Sequence, residues 1–132
     1  MGLIDRLVYR SQVENVPPEV TLERIFRISV PKNARLQITG ALGFSGRNYI
    51  QLLEGPRPAL DDLLQTLRAD PRHSNLRVLL RGSSQRQLLP NWSMARVDLA
   101  RAAPKLDALL EAGGGLGLVT LMATLAHEGV TA

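Results

Sequence analysis

Residues 36–53, Leu36-Gln37-Ile38-Thr39-Gly40-Ala41-Leu42-Gly43-Phe44-Ser45-Gly46-Arg47-Asn48-Tyr49-Ile50-Gln51-Leu52-Leu53, decide the fold. Two apolar runs, Leu36 to Phe44 and Asn48 to Leu53, flank the turn-forming Ser45-Gly46-Arg47, so the stretch predicts two consecutive strands. Upstream, Leu3 to Val8 reads as another strand, ended at Tyr9-Arg10-Ser11. Between them, Pro17-Pro18 punctuates the chain, and Pro18 suits the first turn of a helix, where its missing N–H is not needed. Val20, Leu22, Ile25, Phe26 and Ile28 then recur at helical spacing, with Glu23, Arg24 and Arg27 turned outward; Pro31 is expected to stop this helix. Downstream, Gly55-Pro56 precedes a second helix, Ala59 to Arg68, whose inner face carries Leu60, Leu63, Leu64 and Leu67. Asp61 and Asp62 are expected near the positive end of its dipole. Asp70-Pro71 ends it, and Leu76 to Leu80 and Met94 to Leu99 read as a fourth and a fifth strand.

The order strand–helix–strand–strand–helix–strand, with one strand added, is the split βαβ arrangement of the ferredoxin-like α+β fold, two helices covering one face of the sheet. Pro104 to Ala112 and Leu118 to Glu128 read as two short C-terminal helices around Gly113-Gly114-Gly115, a hinge or loop. A phosphate loop is excluded there, because no Lys-Ser/Thr follows and no strand feeds it. Leu118, Leu121, Met122 and Leu125 form an apolar stripe expected to pack on the open face of the sheet or across a subunit interface.

A chain of 132 residues, 45% hydrophobic and 21% charged, suits one soluble domain with one core. The absence of cysteine excludes disulfides, thiolate nucleophiles, iron–sulfur clusters and cysteine-bound zinc, and two histidines are too few for a multi-histidine metal site. No secretory leader and no bilayer-length apolar run is present, so a cytoplasmic protein without membrane partners is expected. The net charge of +4 comes from basic residues scattered between Arg6 and Lys105, 14 of them arginine, with few aromatics among them. A nucleic-acid surface needs that charge gathered on one face, so none is expected. Conventional catalysis is poorly provided for. His73 is the one plausible base and is equally a solvated turn residue, while the carboxylates Asp61 and Asp62 have a helix start to serve.

Five local strings carry more. They are Leu7-Val8-Tyr9-Arg10-Ser11, Asn33-Ala34-Arg35-Leu36-Gln37-Ile38-Thr39-Gly40, Tyr49-Ile50-Gln51-Leu52-Leu53-Glu54-Gly55-Pro56, Asp70-Pro71-Arg72-His73 and Trp92-Ser93-Met94. In this order and spacing they resemble the BLUF family, sensors of blue light using FAD, over Leu3 to Leu99. The resemblance implies a photosensor domain over residues 1–100 and a helical extension over 101–132. It implies a flavin held non-covalently between the two helices. Ile25 and Leu67 would flank the ring, Asn33 and Arg72 would meet its polar rim, and Lys32, Gln51, Asp70 and His73 would complete the FAD site. Read without the resemblance, Ile25 and Leu67 are core residues and Asn33 is a helix cap.

Tyr9 and Gln51 carry the photochemistry by resemblance: light drives an electron and a proton from the tyrosine to the flavin, and their return leaves the glutamine differently hydrogen-bonded. The expected signature is a small red shift of the flavin absorption. Trp92 and Met94 would relay the flavin state outward; otherwise both are hydrophobic plugs. This sequence departs from the family in Pro31 beside Lys32-Asn33, in Tyr49 where phenylalanine is usual, and in Leu88-Leu89 before Pro90 where Arg-Phe is expected. Tyr49, two residues before Gln51, shares its strand face and is either a tolerated aromatic or a candidate second electron donor. The 33 residues after Leu99 are too few for an effector domain, so a sensor without enzyme activity is expected to signal to a separate partner protein and to form a homo-oligomer. The alternatives are a flavin-free ferredoxin-like module acting by protein contact, and a flavin enzyme, for which no nicotinamide fingerprint is found. The colour of the purified protein separates the first of these from the photoreceptor.

Overall fold

β1 (Ile4–Gln12) lies inside a five-stranded sheet of order β4-β1-β3-β2-β5, formed with β2 (Thr39–Phe44), β3 (Tyr49–Gly55), β4 (Ser74–Ser84) and β5 (Ala95–Val97). β3 sits between β1 and β2 and is antiparallel to both. β1 and β2 therefore run the same way, joined through α1 (Pro18–Leu36), and β4 returns antiparallel on the other edge of β1. This is the expected ferredoxin-like split βαβ, with β5 added in parallel beside β2. The computed structural model describes residues 3–12, 16–46, 48–70, 74–89, 93–99 and 102–131. α2 (Arg57–Ala69) follows β3, and α3 (Ala103–Glu111) and α4 (Gly115–Thr131) follow β5.

Three local readings are corrected. Pro31 does not stop α1, which runs on to Leu36. Pro31 and Arg27, four residues back, are both exposed, so water can satisfy the carbonyl that proline cannot serve. The helix ends instead at Gln37, left-handed at φ 60° and ψ 35°, with the Ile38 N–H donating to the Asn33 carbonyl at 2.9 Å. Leu36 is thus the last helical residue rather than the first of a strand. α2 starts at Arg57, which moves Asp61 and Asp62 beyond its first turn. Asp61 pairs with Arg81 at 2.6 Å instead of serving the dipole.

Strand alternation sends successive side chains to opposite faces. Val8, Ala41, Ile50 and Leu52 meet Leu118, Val119, Leu121 and Met122 of α4, with Leu89 and Leu106 in the same buried cluster. The C-terminal stripe therefore covers the open face of the sheet. The glycine cluster makes this possible: Gly113 turns the chain at φ 68°, and a Cβ on Gly115 would stand 2.5 Å from the Leu79 carbonyl oxygen. On the other face, Leu7, Tyr9, Ile38 and Leu53 pack with Leu60 and Leu64 of α2, while Leu42 and Tyr49 pack with Leu22 of α1. Of the apolar stripe expected along α1, only Leu22 is buried; Ile25 and Phe26 are half-buried, and Val20 and Ile28 are exposed.

Candidate functional site

Register brings the centre of the site together. Tyr9 and Gln51 are direct partners across the antiparallel β1–β3 pair, so both side chains rise from the same sheet face about 5 Å apart at their Cβ atoms. Both are buried. The Tyr9 hydroxyl donates to Gln51 Oε1, and Gln51 Nε2 donates to Met94 Sδ at 3.6 Å. Burial pushes the Tyr9 phenol far above the usual tyrosine range, so it remains a protonated donor. Gly40 leaves the space that Met94 occupies: a Cβ there would lie 3.2 Å from Met94 Sδ and 2.8 Å from Leu53 Cδ2. Met94 touches both apolar clusters of this face, the one under α2 and the one under α1.

Asn33 is buried in the last turn of α1 and does not cap it. Its Nδ2 donates to the Ser93 carbonyl oxygen at 2.9 Å, tying the end of α1 to the residue before Met94. Sequence reading could not anticipate this bond, because a backbone acceptor 60 residues away has no residue signature. Ile25 is half-buried against the α1 cluster and Leu67 against the α2 cluster, so the two expected ring-flanking residues stand on separate packing groups. Lys32 is half-buried on α1, and Asp70 closes α2 with its N–H on the Leu67 carbonyl at 3.2 Å. Arg72, His73 and Trp92, named from the sequence, lie outside the described residues. Tyr49 shares the β3 face of Gln51 but packs with Leu22, Leu42 and the Phe44 ring, whose centroid is 4.7 Å away. Burial raises its phenol, the Thr21 hydroxyl beside it works in the opposite direction, and the charge of Glu19 raises it further.

Glu54 is the functional-looking residue that motif reading passed over. It is buried on the α4 face of β3, where its carboxylate receives Arg6 Nη2 at 2.7 Å and the backbone N–H of Leu89 at 2.7 Å. Among the described residues, no three potential metal ligands converge and no helix is long and apolar enough to cross a membrane.

The profile of the family described as "BLUF: Sensors of blue-light using FAD" matches residues 4–95. The blue light- and temperature-regulated antirepressor BluF of Escherichia coli (strain K12) is 33% identical over 78 residues, 59% of this chain and 19% of that protein. The photoactivated adenylate cyclase subunit beta of Euglena longa is 31% identical over 107 residues, 79% of this chain and 12% of that protein. The chain thus spans less than a fifth of the length of these curated relatives. The dark-state structure of BlrB, a BLUF protein, superposes with a TM-score of 0.82 at 34% identity, covering 97% of this chain and 98% of that one.

Proposed function

The chain belongs to the BLUF family of blue-light sensors, a sensor rather than an enzyme, and from that premise we propose that it binds a flavin non-covalently and signals through the Tyr9–Gln51–Met94 row. The observation that carries this reading is the row itself: a buried phenol on one end of a carboxamide and a thioether on the other, at the junction of two separate apolar clusters.

The residues present fit an isoalloxazine, a flat apolar slab with a polar rim. Ile25 and Leu67 offer apolar flanks from different helices, and the buried carboxamides of Asn33 and Gln51 offer rim partners. Lys32, Asp70, Arg72 and His73 are assigned to the remainder of the cofactor, which is FAD in this proposal, as the family description names it. When bound, the flavin supplies blue-light absorption and an acceptor for an electron and a proton.

The protein's part is to hold and reorder protons. Tyr9, kept neutral by burial, donates its hydroxyl proton to Gln51 Oε1, which fixes the amide with Nε2 toward Met94. An amide flipped end for end presents Nε2 to Tyr9 and a carbonyl oxygen to Met94. Sulfur is a weak acceptor and a thioether has no proton to donate, so the flipped amide loses its contact with Met94. Met94 belongs to both clusters and follows the residue that Asn33 holds, so its release is felt at α1, α2 and β5 at once. Trp92 joins Met94 in this relay. Residues 1–100 form the photosensor and 101–132 the extension that passes the signal to a separate partner protein, in a cytoplasmic homo-oligomer. Tyr49 in place of phenylalanine is a substitute electron donor in this scheme.

The test is colour followed by light. Purified full-length chain should be yellow with extractable flavin, and blue light should shift its absorption to the red reversibly. A colourless protein that FAD, FMN and riboflavin all fail to reconstitute would establish the flavin-free module instead.

A further inference from the structure

The connection from β4 to β5 joins the two opposite edges of the sheet, so it must cross the ends of the strands between them. It is pinned as it crosses. Arg6 of β1 donates to the Arg86 carbonyl at 2.8 Å, and the Gln87 side chain donates to Thr39 Oγ1, at the start of β2, at 3.2 Å. Between these, Glu54 of β3 takes the N–H groups of Leu88 and Leu89 on Oε1, at 2.9 and 2.7 Å. Its Oε2 takes Arg6 Nε and Nη2 at 3.0 and 2.7 Å. Arg6 and Glu54 are direct partners in the β1–β3 register, so both are fixed by the sheet itself. On the α4 side, His127 Nε2 lies 3.0 Å from the Leu88 carbonyl. Four residues beyond Leu89, the same connection presents the Ser93 carbonyl to Asn33 and the Met94 sulfur to Gln51.

We propose that Glu54 is a positioning residue for the light switch: it anchors the β4–β5 connection at Leu88–Leu89 so that Ser93 and Met94 are held against Asn33 and Gln51. The proposal rests on the photoreceptor reading above. Its physical basis is that a buried carboxylate must be matched by donors, and four of the donors here belong to a register-fixed arginine and to the connection. Reorienting the Gln51 amide requires Met94 to move aside. The stiffness with which the connection holds Met94 therefore sets part of the barrier to return, and a loosened anchor lets Met94 give way sooner.

The experiment uses the full chain with 13C-methyl-labelled methionine, which reports Met94 whether or not flavin is bound. Glu54→Gln preserves volume but turns an amide donor toward groups that are themselves donors, so the two hydrogen bonds accepted by one oxygen are lost. Expected are a displaced or broadened Met94 methyl resonance and, in the loaded protein, dark recovery faster by about fivefold for each net hydrogen bond lost. Gly115→Ala is the control for a merely structural role: its Cβ would press on Leu79 and Leu80 of β4, away from the anchor, and should leave both readouts as in wild type. An E54Q protein with wild-type Met94 resonance and recovery, or a G115A protein that matches E54Q in both, overturns the proposal. If E54Q does not fold, Arg6→Met serves, with the same direction expected and an unchanged Met94 resonance refuting it. A wild-type chain that takes no flavin sinks the photoreceptor reading, while the methyl resonance still decides whether Glu54 places Met94.

Discussion

Tyr9→Phe removes one oxygen atom and separates the two things the phenol does. Structurally, the loss leaves Gln51 Oε1 without its donor in a buried position. An unsatisfied buried acceptor costs about 1–3 kcal/mol, against about 5–15 kcal/mol for a typical domain, so the variant should fold and bind flavin with a midpoint lower by several degrees. The pH dependence of stability should change in a defined direction. Burial raises the Tyr9 phenol in the folded protein, so its contribution is fully present below about pH 10, where a free phenol ionises. Above that pH the unfolded chain sheds its proton while the folded one keeps it. Stability then falls by about 1.4 kcal/mol per pH unit for this group, until the folded phenol ionises as well. Tyr49 is raised too and remains in the variant, so the difference between wild type and Tyr9→Phe isolates Tyr9. The assay is urea denaturation from pH 8 upward, paired with light-minus-dark absorption spectra at neutral pH. Expected are a shallower alkaline decline and no reversible red shift in the variant. Identical alkaline slopes would show that Tyr9 is not an enclosed proton holder. A retained red shift would move the donor role to Tyr49, and Tyr9→Phe/Tyr49→Phe would then have to abolish it.

Three further outcomes follow from the same geometry. Gln51→Leu roughly preserves volume and removes the group that reorients, so the protein should remain yellow and lose the red shift; an unchanged shift with unchanged recovery removes Gln51 from the switch. Met94→Ala should keep most of the shift yet weaken the light–dark difference in hydrogen exchange of α3 and α4, and an undiminished difference there would refute the relay. Gly115→Ala forces a Cβ to within 2.5 Å of the Leu79 carbonyl and should cost about 1–3 kcal/mol, whereas Gly82→Ala, with open space around it, should be near neutral; equal melting points for the two would contradict the close approach of α4 to β4.

The parts of this fold that the sequence made legible are those governed by local periodicity. The hairpin at Ser45-Gly46, the leucine face of α2 and the stripe of α4 each announce themselves by spacing and by a breaker at the end. The C-terminus of α1 did not, because two of its signals mislead. Pro31 is tolerated on an exposed face, and the left-handed terminator is Gln37, where a glycine would have marked it. Tyr9 and Gln51 read locally as ordinary strand residues, and only their place in a set of family strings marked them. Their meeting depends on the register between β1 and β3, which is fixed by contacts 38 to 50 residues apart. The resemblance singled out these two residues, and the sheet brings them into contact.

Glu54 shows where a purely physical reading could have gone further. In Tyr49-Ile50-Gln51-Leu52-Leu53-Glu54, alternation sends Tyr49, Gln51 and Leu53 to the switch face and Ile50, Leu52 and Glu54 to the face that α4 covers. A carboxylate following Ile50 and Leu52 on an otherwise apolar face is a conflict, because burying an unpaired charge costs far more than the strand gains. Such a residue must have donors, and alternation in β1 offers one: Arg6 lies on the face of Val8 and opposite Glu54. A guanidinium on one oxygen leaves the other to be satisfied, and backbone N–H groups from a segment laid over the sheet end satisfy it. That segment carries Leu88 and Leu89, and Ser93 and Met94 follow Leu89 by four and five residues in the sequence. In the proposal above, that connection is what joins the charge on the far face of β3 to the amide on the near face.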